Sequence, residues 1–461
     1  MKTLMLDDEN VRVVQAKALQ KVADDVKALT KQAGQAGLTP AAGDALMRGF
    51  LQDGADLLEM QTDALMTNAV KNKINRLTDL CLDNVRQLAE KGIHSEGSCE
   101  KLKDACIYFL RRKREQDACK IAEIFKYMAY NHKELRGFIL KLLGMIGCVA
   151  MKSKQTQLAL QCVDVIMSSM HDLQAGDEEI EHTALDMLQE LAAMAGRMRD
   201  EAAFNAVISK VAVHYATEKV VLVGRRLEAF LLDLMFIAAD RRYVNSLPML
   251  RWISLRLVRN ASTSREEQKK FLLEWSVLAA QMANRNWFNE TKILLDGIFI
   301  FLTREQEMEL TRTVLTSLAG QFQMHSQWDG FAGSFKIYKA WHNYLLVVLD
   351  RAVLGKYADE EERLDDIRFI LRNQRDMLVL TARLTMQEEQ VLFHQWLQLW
   401  LEENKGNPRR QKRVRRFVQL TAQFWHMTQP KSSKKQWPLL QDIFEPSALS
   451  KKYWHYLTQV V

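Results

Sequence analysis

The stretches "ADRRYVNSLPMLRWI" at residues 239–253 and "ANRNWFNETKILLDGI" at 283–298 share one plan. Each opens on Ala, places Arg two residues later, continues with an aromatic residue, and then sets an apolar residue before Asn. Val244-Asn245 and Phe288-Asn289 lie 44 residues apart. "RDEAAFNAVISKV", 199–211, offers Phe204-Asn205 another 40 residues upstream, and "HSQWDGFAGSFKIY", 325–338, puts Trp328 41 residues after Trp287. "QDACKIAEIF" at 116–125 and "QTQLALQCVDVI" at 155–166 are fainter echoes at similar spacing. A period of about 40–45 residues made wholly of helix is the size of one two-helix hairpin with its turns. A single hairpin cannot bury its own apolar face, so such units occur in series and share a continuous core.

Composition agrees with an all-helical chain. Of 461 residues six are Pro and 19 are Gly. The Pro share is near 1%, against about 5% in ordinary proteins. Sheet proteins rich in tight turns need both residues for their special backbone angles, whereas Leu, Ala, Met, Lys, Arg, Gln and Glu favour helix. Apolar residues make up 48% of the chain, enough for an extended packed interior. The longest apolar run, "GFILKLLGMIGCVAM" at 137–151, contains Lys141 and is shorter than the roughly 20 residues of a membrane span. It reads as a helix buried in protein. The opening "MKTLMLDDENV" is too short and too acidic for a secretory signal. The expectation is therefore a soluble, cytoplasmic protein with no membrane span.

Three segments follow from the patterning. Residues 1–92 place apolar side chains at Leu19, Val22, Val26 and Leu29, and again at Ile74, Leu77, Cys81, Val85 and Leu88, one seam per helix. These read as long antiparallel helices separated by "GLTPAAGDAL", with Thr39 as an N-cap and Pro40 at a first helical position. Residues 97–404 read as the helical-hairpin repeat array. Residues 405–461 form a basic, Pro-containing C-terminal helical segment, with twelve Lys or Arg against Asp442 and Glu445. The fold expected is all-α: stacked helical hairpins in an α-solenoid-like array, with long N-terminal helices and a basic C-terminal segment.

At this level the chain resembles the helical-hairpin solenoids, the tetratricopeptide-like and HEAT-like superfamily, over about 97–400. The 34-residue tetratricopeptide pattern matches no window, and the period lies closer to that of HEAT repeats, without their regular Pro and Asp/Arg signature. The resemblance implies a fold and carries over no functional residue.

The candidate site is "PRRQKRVRRFV", 408–418, where six of the eight positions from Arg409 to Arg416 are basic. Gly406 suits a helix C-cap, Asn407 an N-cap and Pro408 the first position of a new helix. A helix N-terminus already carries about half a positive charge, and like charges at i, i+4 repel. Arg409, Arg410, Lys412, Arg413, Arg415 and Arg416 therefore call for an acidic counterpart. Three are open: internal neutralisation by Glu402, Glu403 or the acids of "DEEERLDD", 359–366; an acidic protein partner; or a phosphate-bearing polymer, which Lys431, Lys434 and Lys435 would also contact. The acids at 359–366 have a local reading as well, as the first turn of a helix.

No phosphate loop, dinucleotide fingerprint, nucleophile elbow or His-Glu-x-x-His motif occurs. Glu179 and His182 have a Glu-x-x-His spacing but no second copy, and read as a helix start. The six Cys, between Cys81 and Cys162, contain no Cys-x-x-Cys and read as reduced, mostly buried thiols. No catalytic residue, metal ligand, cofactor or small-molecule ligand is indicated. The function expected is a non-catalytic interaction or scaffold protein with a protein partner. The alternative is a nucleic-acid-binding helical protein using the 409–416 cluster, whose affinity would fall steeply with salt and on reversing Arg409, Arg413 and Arg416 to Glu.

Overall fold

The computed structural model describes residues 8–382 apart from 36, 62–67, 171–172, 174–176, 218–224, 261–263, 325–330 and 355–356, together with 406–408. Among them every regular element is helical. The helices are α1 (Asp8–Ala33), α2 (Pro40–Met60), α3 (Asn68–Glu90), α4 (Glu96–Arg111), α5 (Glu115–Asn131), α6 (Lys133–Lys152), α7 (Thr156–Ser168), α8 (Glu178–Met198) and α9 (Glu201–Thr217). They continue with α10 (Arg225–Asp240), α11 (Ser246–Asn260), α12 (Arg265–Asn284), α13 (Phe288–Glu305), α14 (Met308–Met324), α15 (Phe331–Leu354) and α16 (Glu360–Ala382). The chain divides into two compact units, Met1–Ile237 and Ala238–Val461.

Each unit is a two-layer stack of hairpins. In the first, α1, α3, α5, α7 and α9 pack one on the next to form one layer, and α2, α4, α6 and α8 form the other. Hairpin contacts such as α4 on α5, α6 on α7 and α8 on α9 join the layers. In the second, α11, α13 and α15 form one layer and α12, α14 and α16 the other, joined by α12 on α13 and α15 on α16. Helices thus follow one another in a row inside each unit, the arrangement of an α-solenoid.

The amphipathic seams read from sequence explain the packing. Leu19, Val22 and Val26 of α1 and Ile74, Cys81, Val85 and Leu88 of α3 are all buried. Thr39 caps α2, its hydroxyl accepting from the Ala42 amide at 3.3 Å, with Pro40 as the first helical residue. The sequence separator after α1 opens a helix of its own, so the N-terminal region holds three long helices. The apolar run 137–151 lies in α6, which packs against α4, α5, α7 and α8. Among the described residues no helix is long and apolar enough to cross a membrane.

The repeat has a definite physical origin, a turn that recurs inside successive hairpins. Lys113, Lys154, Arg199, Arg242 and Asn286 all have φ between 56° and 60°. In each case the next residue's amide donates back to the fifth residue before it: Arg114 to Phe109, Gln155 to Ala150, Asp200 to Ala195, Tyr243 to Ala238 and Trp287 to Met282, at 2.8–3.0 Å. This is the Schellman arrangement, which satisfies carbonyls left open at a helix end. The shared Ala-x-Arg-x-aromatic pattern of 239–243 and 283–287 spells this turn. Gly92, φ 72°, makes the same turn between α3 and α4, with Ile93 donating to Leu88.

Side-chain bonds between stacked hairpins report the same period. Lys120 Nζ lies 2.6 Å from Asp79 Oδ1, 41 residues back. Gln155 Nε2 donates to the Leu110 carbonyl across 45 residues, Gln189 Nε2 to Asp233 Oδ2 across 44, and Arg285 Nη1 to Asp240 Oδ1 across 45. In the N-terminal region, where the helices are longer, Ser95 Oγ donates to Asp44 Oδ1 across 51.

Holding a side chain other than Gly at positive φ costs about 1 kcal/mol or more per residue. Lys113→Gly and Lys154→Gly, in exposed turns, are therefore expected to stabilise the first unit by about 0.5–1 kcal/mol each, while Lys113→Ala brings no gain because it keeps the Cβ. Urea unfolding of the single and double variants measures this. Equal midpoints for the Gly and Ala variants would contradict the turn assignment.

Candidate functional site

The basic cluster singled out by sequence, Arg409, Arg410, Lys412, Arg413, Arg415 and Arg416, lies outside the described residues, as do Lys431, Lys434 and Lys435. Just ahead of it, Gly406 lies in a turn and Pro408 is helical, in line with a helix starting there. The acids at 359–366 have local roles. Glu360, Glu361 and Glu362 occupy the first turn of α16, and Asp359 Oδ1 accepts from the Glu361 amide at 3.0 Å. Arg363 pairs with Glu360, Arg368 with Glu361 and Asp365, and Arg312 with Asp366.

Two clefts stand out, one in each unit. The first, about 570 Å³, lies where the α4–α5 turn meets the end of α2 and one face of α3. Its Arg114 and Lys120 are engaged internally. Arg114 donates to Gln61 Oε1 at 2.6 Å, Asn75 Oδ1 at 2.9 Å and Asp117 Oδ2 at 2.6 Å. Lys120 bridges Asp79 and Asp117 at 2.6 and 3.5 Å. This network fastens one hairpin to the preceding one.

The second cleft, about 640 Å³, runs between α13 and α15 with one edge on α11. Lys336 Nζ donates to Asn289 Oδ1 and Arg351 Nη2 to the Thr303 carbonyl, 47 and 48 residues apart, so α13 and α15 lie parallel and in register. Lys292, Asp296, Ile300 and Arg304 step along α13 four residues at a time and form one wall. The floor is Phe299 and Tyr344, whose rings stack at 4.6 Å, with Ala340 and the half-exposed Val347 beside them. Tyr344 is 4% exposed and shares a 3.0 Å hydrogen bond with Thr311; burial raises its phenol pKa and keeps it neutral.

Charge in this cleft is uneven. Asp296 is matched by Lys292 at 2.7 Å and by Arg251 of α11 at 4.0 Å. Arg304, at the far end, is exposed and has no ion-pair partner among the described residues. Gly297 of α13 leaves room for both the Arg251 stem and the Trp275 ring, since a Cβ there would lie 2.9 Å from Arg251 Cγ and 2.7 Å from Trp275 Cη2. Trp275 is fully buried, whereas Trp252 on α11 is 51% exposed, with the Arg256 guanidinium 5.4 Å from its ring.

The sequence reading missed this cleft. Its signal was the polar set Lys292, Asp296 and Arg304, four and eight residues apart on one face of α13.

The thiols are chemically quiet. Cys81, Cys99, Cys106 and Cys162 are buried and none of the six is in a disulfide. Burial pushes Cys81 and Cys99 up to about 12 and raises Cys106 and Cys162 further, which disfavours the nucleophilic thiolate. Glu179 and His182 sit in the first turns of α8, where Glu178, Glu179 and Glu181 face the positive end of the helix.

These features define the class: a helical-hairpin repeat protein. No protein-family model and no curated protein matches the chain. Among solved structures it is similar to a circular tandem repeat protein with novel repeat topology and enhanced subunit contact surfaces, at 13% identity over 90% of this chain and 91% of that one, with a TM-score of 0.28. The architecture follows from this chain's own helix packing.

Proposed function

We propose that the protein is a non-catalytic interaction protein, in which the hairpin stack holds the α13–α15 cleft rigid and presents it to a protein partner. The observation that carries this reading is the pairing, in one cleft, of an apolar floor at Phe299, Ile300, Tyr344 and Val347 with a cation, Arg304, that has no internal counter-ion among the described residues. Interfaces of this kind combine apolar anchors with a polar rim. The other cleft is closed on itself by Arg114 and Lys120, which favours the second unit as the docking face. The α13 and α15 helices contribute side chains to the cleft from fixed positions, so little conformational freedom would be lost on binding.

The test is site-specific photo-crosslinking in native extract. A photoreactive residue at Val347 is expected to trap one defined protein, identified by mass spectrometry, which the same residue at exposed Val213 of the first unit does not trap. The same products from both positions, or none from Val347, would refute the reading.

A further inference from the structure

We infer that the α13–α15 cleft takes an acidic, amphipathic α-helical segment of the partner, an inference that rests on the interaction reading above. Three observations lead there. The first is length and direction. Lys292 to Arg304 spans twelve helical residues, about 18 Å at 1.5 Å per residue, along a furrow between two parallel helices. That accommodates about three turns of a third helix.

The second is backbone chemistry. Both walls are helices, whose backbone amides and carbonyls are already bonded within the helix. The open carbonyl end of α13 is served by Arg351, which donates to Thr303 O at 2.6 Å. An extended peptide buried there would find almost no backbone partners for its own amides and carbonyls, and each unpaired group would be costly. A helix satisfies those groups itself and offers apolar side chains at i, i+4 and i+7 to Ile300 and Val347 over the buried Phe299 and Tyr344 rings.

The third is charge. Among the described residues Arg251, Lys292 and Arg304 face a single carboxylate, Asp296, which Lys292 and Arg251 already hold. The surplus is positive and concentrated at the Arg304 end, so the occupant is acidic. Phosphate polymers fit less well. The Phe299 and Tyr344 rings stack on one another and are 5% and 4% exposed, so they offer no open face to a base.

The experiment uses the intact chain and a fluorescent designed peptide of about 15 residues, with Leu and Phe at i, i+4, i+7 and i+11 and Glu at most other positions. Three comparison probes are the same composition scrambled to break the apolar stripe, the striped peptide with Lys in place of Glu, and oligouridylate RNA. The acidic striped peptide is expected to bind saturably. Arg304→Glu and Val347→Asp, at exposed positions that leave the helical signal unchanged, are each expected to weaken it by roughly tenfold or more. Equal binding of the scrambled or Lys peptide, competition by the RNA, or unchanged affinity in both variants would overturn the inference, as would the absence of saturable binding. A partner trapped at Val347 through a non-acidic or extended segment would also overturn it while leaving the interaction reading intact. Failure of the trapping as well would remove both.

Discussion

Replacing Trp341 with Ala is expected to lower the stability of the second unit by about 5 kcal/mol. The indole is fully buried, and it joins four helices. From α15 it meets Phe299 of α13 edge-on at 5.6 Å and Phe322 of α14 at 5.9 Å, and its Nε1 donates to Asn373 Oδ1 of α16 at 2.6 Å. Truncating a core Trp typically costs about 3–5 kcal/mol, and orphaning a buried amide oxygen adds about 1–3. Trp341→Phe keeps most of the apolar contact and loses mainly the hydrogen bond, for about 1–3 kcal/mol. Urea unfolding followed by circular dichroism and by the remaining tryptophans measures both. Because the ten tryptophans all lie at or beyond Trp252, their fluorescence reports the second unit alone. A loss below about 1 kcal/mol for Trp341→Ala would mean that α13 to α16 do not converge on this ring.

The second large effect is a loss of stability in mild acid that differs between the two units. His342 in α15 is 1% exposed, and burial pushes its pKa down to about 3. The folded second unit therefore resists a proton that its unfolded chain accepts below about 6.5. Its contribution is fully present above that value and is lost progressively as pH falls toward 3, on the order of 4 kcal/mol in all. In the first unit two groups oppose one another. His94 is pushed down to about 4, mainly by burial and then by His132, whose ring meets it edge-on at 4.3 Å. Asp53 is pushed up to about 6 by burial and by the neighbouring Asp25 and Asp56, so its folded state is favoured as acid neutralises it. Acid thus weakens the first unit through His94 and relieves it through Asp53. The expected outcome is a steep decline of the tryptophan-reported transition between pH 6.5 and 4, flattened by His342→Gln, with a shallower decline for the first unit. A His342→Gln profile as steep as that of the parent chain would show that another group governs the acid response.

Much of the fold was legible because local rules and tertiary packing agree. Thr39-Pro40 announced the start of α2, and the seams of α1 and α3 announced what they bury. The periodic pattern was legible for a more specific reason. The Ala-x-Arg-x-aromatic spelling at 239 and 283 marks a turn whose left-handed residue is Arg242 or Asn286, and whose following aromatic precedes the next helix and donates its amide back to Ala238 or Met282. At Lys113, Lys154 and Arg199 the same turn is made by different residues, so its spelling fades although its geometry does not. The scarcity of Gly obscured it further, since these are positions where Gly is the usual choice.

The cleft was less legible. Arg251 and Lys292 both fall inside the two quoted repeats, yet repeat comparison weighs shared residues, and these two differ from their counterparts. Which face of α13 stays uncovered depends on the spacing of α15 beside it, a tertiary fact that a stripe of three polar residues only hints at. Conversely, the basic run from Arg409 to Arg416 was the loudest signal in the sequence and lies outside the described residues, while Glu360, Glu361, Asp365 and Asp366 of the acidic run pair with Arg312, Arg363 and Arg368.

Within each unit helices pack against neighbours and next neighbours, hairpin after hairpin. Zero-length carbodiimide cross-linking of the intact chain, mapped by peptide mass spectrometry, tests this most directly. Lys120 is expected to join Asp79 across 41 residues, and Lys210 to join Asp164 across 46, because each pair is in ion-pair contact on adjacent hairpins. Links that tie α1 or α2 to α8 or α9, as helices gathered about a common centre would give, would contradict it.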